Sequence, residues 1–142
     1  MKQSPARRST RRSTGTAARN AVFITVEESL RRIRAGKMII VVDDAKRENE
    51  GDLVFAAEKS TPEMVNFALK HGRGILCAPM APAIAERLGL RLMVSENSSR
   101  FGTPFTESVD ARKGTSTGTS AFDRARPLRA LAAPRPRAAD LV

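Results

Sequence analysis

The chain has 142 residues, 41% hydrophobic and 28% charged, enough apolar side chain for one buried core and too much for a disordered polymer. Its formal charge of +10 lies in the two ends, six basic residues and no acid in 1–26 and five arginines against one aspartate in 124–142. Between them 14 basic residues balance 14 acidic ones, which argues against a nucleic-acid partner for the body. A single cysteine, Cys77, excludes an internal disulfide and suits a reducing cytoplasm, and no apolar run approaches the roughly 18 residues of a membrane-spanning helix.

Residues 1–24, rich in Arg, Ser and Thr, read as a disordered basic tail, with an organelle transit peptide as the alternative; residues 25–142 read as one domain. Thr25 and Glu28 form a capping box, Val26, Leu30 and Ile33 recur at helical spacing, and Gly36 stands where that helix stops. Met38 to Val42, rich in β-branched residues, predicts a buried strand, and Leu53 to Ala57 a second one able to pair with it. The ten residues between, Asp43 to Asp52, contain seven charged side chains and no strongly apolar one. Thr61-Pro62-Glu63 opens the next helix with a capping hydroxyl, a proline at the first position and an acid at the positive end. Met64, Phe67 and Ala68 give that helix its apolar face, and Gly72 ends it.

Gly74 to Cys77 predicts a strand, Pro82 to Leu88 a short helix closed by Gly89, and Leu92 to Val94 and Phe105 to Val109 two further strands. Gly114 to Gly118 is a Gly/Ser/Thr loop, followed by a helix that Ser120 and Asp123 start as a second capping box. Helices alternating with short strands predict an α/β domain, a mixed sheet with helices packed on it.

Two loops carry candidate chemistry. In Arg47-Glu48-Asn49-Glu50-Gly51-Asp52, three carboxylates within five residues repel one another unless a cation joins them, and oxygen ligands suit Mg²⁺ or Mn²⁺. Gly51 would supply a turn closed to other residues. The alternative is a solvated acidic turn, although ten residues exceed the roughly 2 to 5 of an ordinary hairpin connection. Gly114 to Ser120, ahead of a helix N-terminus, offers a phosphate cradle without the lysine of a P-loop, although such runs are mostly plain loops. Cys77 reads as a small packed hydrophobe, and His71, in the last turn of its helix, receives no catalytic role.

At these residues the sequence resembles the 3,4-dihydroxy-2-butanone 4-phosphate synthase family. The likeness begins at Asp43-Asp44 and Arg47 to Asp52, then continues through His71 to Cys77, Arg100 to Thr103 and Thr117 to Arg124. It covers roughly Val26 to Val142, with several motifs in the family's order. The resemblance implies a layered α/β fold that dimerises with active sites at the subunit interface. It also implies conversion of ribulose 5-phosphate to 3,4-dihydroxy-2-butanone 4-phosphate and formate with Mg²⁺ or Mn²⁺. By motif position it makes Glu48 the metal ligand, Arg47 and Asp52 substrate contacts, and Glu50, with Asp52, the candidate acid/base groups. Cys77 then lines the pocket, and Ser116 and Thr117 belong to the substrate site.

The family pattern runs on into an Arg-Pro-Gly-His segment and a later Arg-Gly-Gly-His segment that carries a second metal ligand and phosphate contacts. Neither occurs in this sequence. Pro104 and Glu107 interrupt a segment that should be a clean strand, and Pro127 should kink or end the last helix. The expectation is a truncated domain that turns over little or nothing by itself, against the alternative of an inactive relic that dimerises or binds sugar phosphate.

Overall fold

A computed structural model describes residues 23–142, so all but the last two residues of the expected basic tail lie outside it. The first helix, α1 (Val26–Arg34), starts as its capping box requires, the Glu28 N–H donating to Thr25 Oγ1 at 3.2 Å. Strands β1 (Ile39–Val42) and β2 (Gly51–Val54) pair antiparallel with Ile39 opposite Val54 and Val42 opposite Gly51. A single 3-10 turn, Ala57–Lys59, leads into α2 (Pro62–Gly72), where Thr61 Oγ1 accepts from the Met64 N–H at 3.2 Å. Then come α3 (Pro82–Leu88), α4 (Ala121–Leu131) and a last 3-10 turn, Ala138–Asp140.

The α/β class holds, but the sheet among the described residues is two-stranded and antiparallel, not mixed. Gly74 to Cys77 forms no strand, and Leu92 and Thr106 meet in one isolated bridge. Pro104, just before that bridge, has no N–H to give a ladder. Nor is β1 the buried strand its composition predicts: Ile40 is 68% exposed, and Val41 and Val42 are also exposed. With one neighbouring strand and α1 touching only part of it, little of its apolar surface is covered.

The core lies between α2 and α4. Val65, Ala125 and Leu128 are buried together, with Phe55, Ala57, Leu69 and Leu76 packed around them. Polar ties fasten the same seam: buried Ser60 donates through Oγ to the Ala125 carbonyl at 3.2 Å, and Arg129 Nη1 donates to the Ser60 carbonyl at 2.7 Å. This packing explains why Pro127 does not end α4. Its ring deprives the Asp123 carbonyl of an N–H donor, yet Pro127 is buried, and Ala125 and Leu128 on either side of it hold α4 in the core with Val65. The apolar contact offsets one missing helical bond.

Candidate active site

The acidic loop is organised from within by one side chain. Asp43, at the end of β1, accepts the Glu48 N–H at 2.8 Å, the Glu50 N–H at 2.9 Å and Arg47 Nη1 at 3.1 Å. These donors, the Glu48 N–H foremost, hold its carboxyl below the ordinary carboxylate range. Asp44 adds an Asx turn, accepting the Lys46 N–H at 2.8 Å. The turn's left-handed residue is Asn49, with φ 55°, and not Gly51, which lies in β2. Asparagine tolerates that conformation, so the special residue of the loop sits two positions earlier than the glycine suggested.

Arg47 reaches two acids at once, Asp43 and Glu48, each at 3.1 Å, so much of its charge is neutralised locally. Its guanidinium also lies 5.6 Å from the centre of the Phe101 ring, and that of Arg100 lies 5.2 Å from the same ring. The aromatic ring thus joins the Arg100 to Thr103 segment to the acidic loop by cation–π attraction. Sequence reasoning missed both Asp43 as the organiser and Phe101 as the bridge. An aspartate ending a strand just before a charged loop was the available signal for the first.

The other expected residues fall into separate groups. Asp52 lies in β2, and its charge reaches Cys77: partial desolvation of the thiol, and then Asp52, push the Cys77 pKa up. Cys77 itself is exposed, which corrects its reading as a packed hydrophobe; without a strand over Gly74 to Cys77 its thiol is only partly covered. Glu50 is exposed and fixed only through its backbone. Ser116 and Thr117 belong to the loop ahead of α4, where Ser116 donates from N and Oγ to Asp123. No hydrogen bond or ion pair among the described residues links that loop to Arg47 or Glu48. His71 stacks on Phe67, with ring centres 4.5 Å apart, as an ordinary helix-end contact.

The donor set suits a hard cation in kind. Glu48 is half-buried with one carboxylate oxygen on Arg47 and the other without a hydrogen bond, and Mg²⁺ commonly takes one or two carboxylates alongside water and substrate oxygens. Among the described residues no three His, Cys, Asp or Glu side chains converge to hold a metal between them. Glu48 therefore fits as a lone protein ligand and not as part of a cage. An open cavity of about 190 Å³ beside Phe101 is lined by Met93, Val94, Phe101 and Phe105 together with Asn97, Ser99 and Thr103, and has no charged side chain in its wall.

Comparison with known proteins gives this arrangement its setting. The family model of 3,4-dihydroxy-2-butanone 4-phosphate synthase matches residues 27–142. The chain is 53% identical over 118 residues to the Pseudomonas aeruginosa protein of that name, covering 83% of this chain and 32% of the relative. It is 56% identical over 110 residues to the riboflavin biosynthesis protein RibBA of Phocaeicola vulgatus, covering 78% of this chain and 27% of that one. Among solved structures, a 3,4-dihydroxy-2-butanone 4-phosphate synthase in complex with two magnesium ions superposes with a TM-score of 0.82 at 40% identity. That superposition covers 84% of this chain and 56% of the other. The chain thus spans between a quarter and a third of the length of the curated relatives it matches. With the family's pattern matched over nearly every described residue and its fold shared, the chain belongs to the 3,4-dihydroxy-2-butanone 4-phosphate synthase family.

Proposed function

We propose that residues 25–142 form one cytoplasmic domain acting on ribulose 5-phosphate as a lyase of riboflavin biosynthesis, forming L-3,4-dihydroxy-2-butanone 4-phosphate and formate. The two products together contain every atom of the substrate, so the reaction needs proton movement and carbon–carbon rearrangement but no oxidant. Support comes above all from the Asp43 carboxylate, which fixes the backbone of Glu48 and Glu50 and the guanidinium of Arg47 in one frame. A fixed frame is what proton transfer at adjacent sugar carbons requires.

In this reading Arg47, steadied on Phe101, and Asp52 contact the substrate. Glu50 and Asp52 exchange protons with it, and Cys77, kept as the neutral thiol, lines the pocket. Ser116 and Thr117 complete the substrate site. Glu48 would hold Mg²⁺ or Mn²⁺, whose charge would stabilise the oxygens of an enediolate. The working form is a homodimer. A second reading, binding of sugar phosphate without turnover, is favoured by the lone carboxylate ligand at Glu48.

Calorimetry with ribulose 5-phosphate and Mg²⁺ tests both readings, with binding heat expected from the native chain and lost in Glu48→Ala. Formate release then separates them: a measurable rate abolished by Glu50→Gln supports the lyase, and binding alone supports the second reading. Absence of binding heat would refute both.

A further inference from the structure

Asp123 is the buried acid that the proposed reaction does not use, only 2% exposed at the start of α4. An acid so buried is ordinarily matched by a close cation or several donors. Its one cation, Arg126, stands 3.6 Å away, and the shorter contacts come from the preceding loop. Ser116 donates its N–H to Oδ1 at 3.1 Å and its hydroxyl to Oδ2 at 2.8 Å. The N–H of Asp123 in turn donates to Ser120 Oγ at 3.1 Å, so loop and helix start form one closed unit.

A second carboxylate flanks the same loop. Gly118, at φ 75°, comes so close to Asp110 that an added Cβ would stand 3.0 Å from the Asp110 Cγ. A phosphate arriving here would meet two carboxylates, the Ser116 hydroxyl hydrogen already engaged, and two arginines, Arg124 and Arg126, already spent on the Thr119 and Gly114 carbonyls, so the loop is a poor phosphate cradle despite its Gly/Ser/Thr composition. Thr117 is exposed, and its hydroxyl has no partner among the described residues.

We propose that Asp123 is a positioning residue, which takes the Ser116 hydroxyl hydrogen and fixes the loop, so that Ser116 Oγ can only accept from, and Thr117 alone can donate to, the uncharged, polyhydroxyl part of a sugar phosphate. This inference rests on the sugar-phosphate reading of the site and assigns the loop a different share of that ligand.

The test uses the whole chain and titrates ribulose 5-phosphate and, separately, inorganic phosphate into native protein, Ser116→Ala, Asp123→Asn and the double variant. Each single change is expected to weaken ribulose 5-phosphate binding about fivefold, and the double change no further, because both remove one contact. Inorganic phosphate affinity should stay the same throughout. The Ser116 and Gly118 amides should exchange faster in both single variants, with amides inside α4 unchanged. Additive losses with unaltered loop exchange, or a loss confined to inorganic phosphate, would overturn the inference while leaving the sugar-phosphate reading intact. Failure of the native chain to bind ribulose 5-phosphate would sink both. Should Asp123→Asn not fold, Ser116→Ala decides alone: unchanged exchange at Gly118 refutes the strut.

Discussion

Replacing Gly118 by alanine probes the loop where two constraints coincide. The residue has φ 75°, a left-handed conformation that costs an L-residue roughly 1 kcal/mol, and its new methyl would press on the Asp110 carboxylate. Asp110 can relieve the overlap by leaving its rotamer, at a further cost of about 1 kcal/mol. Together these predict a destabilisation of about 2 kcal/mol, which moves a urea midpoint down by roughly 1 M, followed by far-UV circular dichroism. Gly89 supplies the control. Its φ is 70°, but nothing lies within 4 Å of the place an added methyl would take, so Gly89→Ala should show the conformational part alone, about 1 kcal/mol. Adding Asp110→Ala to Gly118→Ala should recover the difference. Equal losses at the two glycines, or no recovery in the double variant, would refute the close approach of Asp110 to the loop.

Three other outcomes are expected. Phe101→Ala should weaken ribulose 5-phosphate binding by about two- to fivefold, since exposed cation–π contacts contribute roughly 0.5 to 1 kcal/mol; calorimetry reads it, and unchanged affinity would separate Phe101 from Arg47. Cys77, with its pKa raised, should react with iodoacetamide at pH 7.5 more slowly than a free cysteine; Asp52→Asn should speed the reaction, and a faster-than-free native rate would contradict the assignment. Asp123 is held below the ordinary carboxylate range, first by the Ser116 hydroxyl and then by the Ser116 N–H. Its contribution to stability is therefore fully present above the unfolded pKa of about 4 and is lost as pH falls through the lower folded value. Denaturation curves from pH 6 downward should show that loss in the native chain and a shallower one in Asp123→Asn.

The sequence by itself determined what depends on near neighbours along the chain. Thr25, Thr61 and Ser120 each cap a helix because the hydroxyl meets an N–H only three residues on, a match that needs nothing from elsewhere. Two strands around an acidic loop were legible for the same reason, although the second begins at Gly51 and ends at Val54, not over Leu53 to Ala57, and the motifs along the chain marked the family.

Tertiary structure decided everything that turns on who covers whom. Pro127 stays helical because Ala125 and Leu128 on either side of it anchor α4 in the core, and β1 stays exposed because, among the described residues, only one strand lies beside it. Asp43 commands the acidic loop because the chain doubles back at Asn49, bringing N–H groups five and seven residues away onto one carboxylate. Phe101 meets Arg47 across more than fifty positions of sequence. Local pattern fixes which hydrogen bonds a short segment can make; which carboxylate is buried, and which hydroxyl is left free for a ligand, follows only from the packing of distant segments.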